Sequence, residues 1–288
     1  MVNLQSEFQI KSNNDVVRIG CISDTHIGAS SMNNTALTND LQRMVDMDCR
    51  IGINGDIFDA ILHSDIKRYN PLAVDPRLHQ MQGTPLDNAI KLAYDTFAPF
   101  ATHIDWIGIG NHEDHVKKRH HICITSILID RLNQLPGVNI RHGGWCGFWH
   151  LMLNKQGLRT AFTIYRHHGA GGSAPMTKGL LDTQRMMIWL SNIDCIWIGH
   201  KHNRWVSTDI KARYDSNTNK TKMFPVVQMM TGSYLETYGD ADTGTAPSYA
   251  EAWNLAPQMQ GGIILELKQQ EMWTKGKKST RTVCRVIM

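Results

Sequence analysis

Four short apolar runs stand out along the chain, and each gives way abruptly to polar residues. Val16–Ile22 (VVRIGCI) runs into Ser-Asp-Thr-His, and Cys49–Ile53 (CRIGI) into Asn-Gly-Asp-Ile-Phe-Asp. Ile104–Ile109 (IDWIGI) leads to Gly-Asn-His-Glu-Asp, and Cys195–Ile198 (CIWI) to Gly-His-Lys-His-Asn. Short runs rich in β-branched and aromatic residues, bounded by Gly and Asn, predict buried strands. Helical spacing appears between them. Thr35 to Asp48 aligns Leu37, Leu41, Met44 and Val45, and Leu86 to Phe97 aligns Ile90, Ala93, Tyr94 and Phe97. Ile122 to Leu135 stops at Pro136-Gly137, a helix-ending pair, and Gly179 to Leu190 is a fourth candidate helix. Alternating strands and helices predict an α/β fold, in which ligands bind beyond the C-terminal ends of the strands. All four polar segments fall there.

Two stretches break this rhythm. Residues 61–85 are polar, hold Pro71, Pro76 and Pro85, and read as an insertion or cap over the strand ends. After His202 further strands are expected at Arg204–Val206, Pro225–Met229, Gly262–Leu267 and Thr282–Ile287. A Gly- and aromatic-rich loop at 234–253, with Tyr234, Tyr238, Tyr249 and Trp253, interrupts them as a candidate substrate-side loop. One domain over residues 1–288 accommodates all of this.

Composition narrows the class. With 42% hydrophobic and 19% charged residues, the chain can bury a large core and is not expected to be disordered. A net charge of +4 permits a polyanionic substrate, but no basic stripe marks a dedicated nucleic-acid surface. Six scattered cysteines without a CxxC pair suggest free thiols rather than a disulfide framework. The N-terminus is too polar for a signal peptide, and no apolar run approaches a membrane span. A cytoplasmic protein with no membrane partner is the expectation.

Each polar segment alone has an ordinary explanation, such as a helix cap, a turn acid or a surface histidine. Four strand ends that all deliver Asp, Asn and His are harder to explain that way. Two divalent ions about 3.5–4 Å apart need a bridging carboxylate, further ligands and room for water. A mixed nitrogen and oxygen donor set suits Mn, Fe, Zn, Co or Ni better than Mg or Ca.

The ordered series Asp24-x-His26, Gly55-Asp56-x-x-Asp59, Gly110-Asn111-His112-Glu113, His167-His168 and Gly199-His200-x-His202 resembles the calcineurin-like metallophosphoesterases. The resemblance implies a four-layer α-β-β-α sandwich with two mixed sheets and a dinuclear metal site at the strand C-terminal ends. It also implies one ion held by Asp24, His26, Asp56 and His202. A second would be held by Asp56, Asn111, His167 and His200, with Asp56 bridging. His112 matches the family's catalytic histidine, and Asp59 would orient it. Either His167 or His168 could be the ligand, since neighbours on a strand point opposite ways. The spacing to Gly169 in similar motifs of the family favours His167, and His168 is left as a substrate contact. The cofactors implied are two divalent ions, manganese first among them.

The implied activity is metal-dependent phosphoester hydrolysis by a water made nucleophilic between the ions. Ser23-Asp-Thr-His-Ile-Gly28 is similar to the DNA-repair exonuclease branch, while the loop Gly169–Ser173 is similar to phage and prophage members. Asp59-Ala60 lacks the arginine of the protein Ser/Thr phosphatases. A phosphodiesterase or nuclease acting on nucleotides or nucleic acid is therefore the leading expectation, ahead of a phosphomonoesterase and a non-catalytic scaffold. Lys117 and Arg119, in Lys-Lys-Arg-His-His, are candidate phosphate contacts, or else part of a solvated helix start. Trp145, Phe148 and Trp149 could stack bases or fill the core.

Overall fold

The structure is a computed structural model that describes residues 1–60, 69–172, 174–216, 219–238, 251, 254, 256–274 and 277–288. The chain order begins β1 (Leu4–Gln9), β2 (Val17–Ile22), α1 (Asn34–Asp46), β3 (Cys49–Ile53), α2 (Arg77–Gln80) and α3 (Pro85–Phe97). It continues with β4 (Ile104–Gly108), α4 (Asn111–His120), α5 (Ile124–Leu132), β5 (Arg141–Gly144), β6 (Cys146–Lys155) and β7 (Leu158–His167). The last elements are α6 (Leu180–Trp189), β8 (Cys195–Ile198), β9 (Trp205–Asp215), β10 (Lys220–Met230), β11 (Ile263–Thr274) and β12 (Lys277–Ile287).

The fold is α/β, with two mixed sheets. One runs β1-β6-β7-β8-β10-β9 and the other β12-β11-β2-β3-β4-β5. Within the second, β2, β3, β4 and β5 are mutually parallel; in the first, β7, β8 and β10 are. Parallel strands end at the same edge, so the segments after β2, β3 and β4 emerge together. Those after β7 and β8 do likewise.

Side-chain alternation builds the core. Ile19, Cys21 and Leu265 of one sheet meet Trp149, Leu151, Ile164, Trp197 and Met229 of the other. Trp106 anchors this contact, edge-on to Trp149 at 5.4 Å and tilted against Trp197 at 5.5 Å. The opposite face of the second sheet, including Ile22, Ile53 and Ile107, packs with Leu37, Leu41 and Met44 of α1, Phe97 of α3 and Leu128 of α5. Tyr165, Ile196 and Val226 of the first sheet meet Met186 and Met187 of α6. Local signals start the helices. The Asn33 side chain caps α1 through the Ala36 N–H at 2.8 Å, and Thr84 caps α3, whose first residue is Pro85.

Several expectations shift. Strands β1, β6 and β7 are not marked by the apolar runs: β6 alternates buried and half-exposed residues, β1 is exposed or half-exposed after Leu4, and the first half of β7 is largely exposed. Helix α4 begins at Asn111, so Lys117 and Arg119 lie in its last turn rather than at a helix start. Trp149 is a fully buried core residue, which corrects the base-stacking alternative for it, while half-buried Phe148 packs edge-on to Tyr165 at 5.3 Å. Tyr234 is fully buried, its hydroxyl donating to Asp40 at 2.8 Å, and is no substrate-side aromatic. Tyr249 and Trp253 lie outside the described residues, as do His63, Lys67 and Arg68 of the 61–85 segment. The described remainder of that segment docks beside the first block: Asp75 N–H donates to Gly28 O at 2.9 Å and Ser30 N–H to Ala73 O at 2.8 Å. Among the described residues, no helix is long and apolar enough to cross a membrane.

Candidate metal centre

Five strand ends meet at one edge of the two sheets. Asp24 and His26 follow β2, Asp56 follows β3, and Asn111 and His112 open α4 just after β4. His168 follows β7, and His200 and His202 follow β8. Their side chains gather into three neighbouring groups: Asp24–His26–His202, Asp56–His168–His200, and His26–Asp59–His112.

The first group brings His26 Nε2 within 3.1 Å of His202 Nε2, and His202 Nε2 within 3.5 Å of Asp24 Oδ1. In the second, His168 Nε2 lies 3.1 Å from Asp56 Oδ2 and 3.2 Å from Asn111 Oδ1. His200 Nδ1 lies 4.0 Å from Asp56 Oδ2 and is buried without a hydrogen-bond partner. Ligand atoms about 2.1 Å from a common ion stand about 3 Å apart at right angles and about 4.2 Å apart in opposition. The observed spacings fall in that range. The donor set, buried carboxylates with imidazoles and one amide oxygen, fits a divalent cation.

Charge supports the same conclusion. Asp24 and Asp56 are buried, and the ion pairs they make are with histidines. Burial opposes ionisation of Asp24, but the His202 hydrogen bond and the charges of His168 and His202 hold its carboxyl below the ordinary value. Burial likewise opposes ionisation of Asp56, yet His168 and His112 hold it well below the usual range. Burial would lower His168, but Asp56 and Asp24 push it up to about 10. The cluster attracts positive charge. In the absence of an ion, protons supply it.

The backbone is strained at the same place. Asp24 (φ 54°), His26 (φ 47°), Asp56 (φ 47°), His200 (φ 68°) and His202 (φ 57°) all adopt left-handed conformations. For L-residues this costs roughly 1–2 kcal/mol each, least for Asp. Strain of this kind concentrates where the surrounding fold fixes side chains for a task. Close approach matters too: a Cβ on Gly110 would come within 2.1 Å of Asp56 Oδ1.

The histidine pair resolves against the sequence preference. It is His168, not His167, whose ring joins Asp56, Asn111 and His200. On β7, Phe162, Ile164 and Arg166 face the other sheet, and His168 continues that face. Its Nδ1 donates to Asn54 O at 2.7 Å, which aims Nε2 at the acids. His167 points the other way, its Nδ1 accepting from the Gly169 N–H at 2.8 Å, and its ring lies edge-on to Trp145. Parity counted from Phe162 and Ile164 carries this distinction in the sequence; the charged Arg166 obscured it.

His112 Nδ1 donates to the main-chain oxygen of Asp59 at 2.5 Å. The Asp59 carboxylate stands 3.7 Å from that nitrogen and 3.4 Å from His26 Nδ1. Asp59 therefore holds His112 chiefly through its backbone, and its side chain lies closer to His26. Burial disfavours charge on His112, but Asp56 and Asp59 raise its pKa above the ordinary histidine value.

Glu113, the last residue of Gly110-Asn111-His112-Glu113, fastens two segments of the site together. Its buried carboxylate accepts the main-chain N–H groups of Gly110 (2.7 Å), Asp56 (3.2 Å), Ile57 (2.6 Å) and Phe58 (2.9 Å). Burial and the nearby Asp56 charge raise its pKa, and the backbone donors act against that rise. Lys117 and Arg119 are exposed, ~7.5 and ~10 Å along the helix from His112 at ~1.5 Å per residue. In the last turn of α4 they also complement the helix dipole.

No protein-family model matches the sequence, and no curated protein matches it. Among solved structures, the chain is similar to one titled "GAP50 the anchor in the inner membrane complex of Plasmodium". Identity is 10% and the TM-score 0.43, over 91% of this chain and 86% of that one.

Proposed function

We propose that the protein is a metal-dependent phosphoester hydrolase of the calcineurin-like metallophosphoesterase type, built as a four-layer α-β-β-α sandwich with two divalent ions at the strand ends. The observation that carries this reading is the pair of acid and histidine groups, each with two buried members and one partly exposed histidine, five of whose members sit in left-handed backbone. Asp24, His26 and His202 would hold one ion, and Asn111, His168 and His200 the other. Asp56 would lie between them. Manganese suits the mixed donors, as do Fe, Zn, Co and Ni. When bound, the ions supply Lewis acidity for a coordinated water and for the phosphoryl oxygens.

The chain's own residues do the rest. His112, fixed through Nδ1 by the Asp59 main-chain oxygen, has Nε2 left to act as a proton donor to the leaving oxygen. In its protonated form it would offset charge developing on the phosphoryl group. A phosphodiester of a nucleotide or nucleic acid is the proposed substrate class, on the strength of Ser23–Gly28 and Asp59-Ala60.

Turnover of bis-p-nitrophenyl phosphate beside p-nitrophenyl phosphate, with Mn added, tests the proposal. Diester hydrolysis lost in His112→Ala with both ions retained, and lost in Asp56→Asn with ion binding, is the expected result. Full activity in purified His112→Ala overturns it.

A further inference from the structure

Behind Asp24 runs a chain of buried polar groups that no ligand motif includes. The Trp197 indole Nε1 lies 3.0 Å from Thr231 Oγ1, Thr231 Oγ1 lies 2.6 Å from Ser23 Oγ, and Ser23 Oγ hydrogen-bonds Asp24 Oδ2. Trp197, Thr231, Ser23 and Asp24 are all fully buried.

Elementary donor and acceptor chemistry gives this chain one direction. An indole N–H can only donate, so Thr231 Oγ1 accepts there. An ionised carboxylate can only accept, so the Ser23 hydroxyl donates to Asp24. The Thr231 hydroxyl hydrogen then has Ser23 Oγ as its acceptor. Every hydrogen is committed, and all point toward Asp24. Neutral hydroxyls commonly rotate among partners; here the fixed donor at one end and the charge at the other leave a single arrangement.

The chain also distinguishes the two oxygens of Asp24. Oδ2 accepts from Ser23 and from the His200 N–H at 3.0 Å. Oδ1 also receives the His200 N–H at 3.0 Å, but it is the oxygen that faces His202 Nε2 at 3.5 Å. Gly199 protects the arrangement: a Cβ there would stand 2.7 Å from both Asp24 Oδ2 and Ser23 Oγ. That is the reason for the glycine in Ile198-Gly199-His200. It makes room for the hydrogen bond behind the ligand, and its φ is not one that only glycine favours.

Building on the proposed metal-binding role of Asp24, we infer that Trp197, Thr231 and Ser23 form a directional hydrogen-bond relay that orients Asp24 as a one-oxygen ligand through Oδ1. These three are positioning residues, and they touch neither ion nor substrate. The relay ties the metal site to the tryptophan cluster packed between the sheets.

Mn titration by calorimetry and electron paramagnetic resonance of the full chain tests this, with Ser23→Ala, Thr231→Val and Thr231→Ser compared with wild type. Thr231→Val preserves shape and removes the hydroxyl, whereas Thr231→Ser keeps the hydroxyl. In wild type two ions are expected to bind. In Ser23→Ala and Thr231→Val one of the two is expected to weaken about 10- to 100-fold, the usual effect of removing a group behind a ligand, while the other is unchanged. Thr231→Ser is expected to restore both affinities. Isotherms in the two disrupted variants identical to wild type overturn the relay while leaving the site reading intact. Equal weakening of both ions, or loss in Thr231→Ser as deep as in Thr231→Val, overturns it as well by showing general damage. Failure of the wild type to bind any divalent ion overturns the site reading and the relay together.

Discussion

Glu113 Oε1 lies 2.6 Å from the main-chain nitrogen of Ile57, across 56 residues of sequence. With three further N–H groups on the same carboxylate, this contact fastens the turn that carries Asp56 to the start of the helix that carries Asn111 and His112. Replacing Glu113 by Ala leaves buried N–H groups without acceptors, at ~1–3 kcal/mol each before relaxation. A loss of about 3 kcal/mol or more in chemical denaturation is expected, together with weakened metal binding. Glu113→Gln, which keeps one acceptor and adds two donors, is expected to recover only part. Wild-type stability in Glu113→Ala would show that the clamp does not hold the two segments.

His167 and His168 separate cleanly by substitution. His168→Ala removes a group facing Asp56 and Asn111, and Mn affinity is expected to fall at least ~10-fold, the scale seen even for groups one step behind a ligand. His167→Ala removes a local turn contact and an edge-on contact with Trp145, neither of them with Asp24 or Asp56, so affinity is expected to stay within about threefold of wild type. Titrating both variants with Mn decides the matter; the reverse ranking would return the role to His167.

Metal-free protein has a pH signature. His168 is raised from 6.5 to about 10, so its protonated form stabilises the fold fully below pH 6.5. That contribution is lost as pH rises through about 10. Asp56 acts in the opposite sense: lowered from 3.8, its contribution is present above that pH and lost on acidification. In chelator, the melting temperature is expected to fall from pH 6.5 towards pH 10, with a flatter profile in His168→Gln. Proton release on Mn uptake, read from the buffer dependence of binding heat, is expected over the same window. An unchanged melting temperature across it would contradict the His168–Asp56 pairing.

Left-handed backbone at His202 (φ 57°) makes a comparison of two small substitutions informative. In chelator, His202→Gly is expected to be more stable than His202→Ala by about 1 kcal/mol, despite the usual entropic disadvantage of glycine. Both are expected to lose the ion shared with Asp24 and His26. Thermal denaturation measures the first effect and Mn titration the second; greater stability of the Ala variant would show that the turn carries no strain.

Asp59 and His112 differ in what truncation removes. Because His112 Nδ1 bonds the Asp59 main-chain oxygen, Asp59→Ala leaves that hydrogen bond in place. Diester turnover is expected to fall less than ~10-fold in Asp59→Ala and by ~100-fold or more in His112→Ala. Equal losses would assign the orienting role to the carboxylate instead.

Much of this was legible in the chain, for physical reasons that differ by element. β2, β3, β4 and β8 are buried on both faces, so they read as continuous apolar runs, and the polar residues after them announce the site. β6 and β7 were obscured because one of their faces is only half covered, and their alternation carries His150 and Arg166 among apolar residues. α4 was illegible to hydrophobic periodicity: NHEDHVKKRH has Val116 as its one aliphatic residue, and its start is set by Glu113 bonding back to the Gly110 N–H. Tyr234 looked like a loop aromatic because nothing nearby in sequence reveals Asp40, 194 residues away and bonded to its hydroxyl. Ser23 and Thr231 are common residues whose meaning appears only when 208 positions of chain separation close to 2.6 Å.

The two acid and histidine groups are each drawn from both sheets: Asp24, His26 and Asp56 from one, His168, His200 and His202 from the other. An ion seated in either group would therefore be a rivet through two layers. For it to leave, or for the sheets to part, the same bonds must break. If the proposed ions bind there, their occupancy would govern how long the molecule stays folded. Slower unfolding with Mn than in chelator is the expected outcome, read from unfolding rates in denaturant.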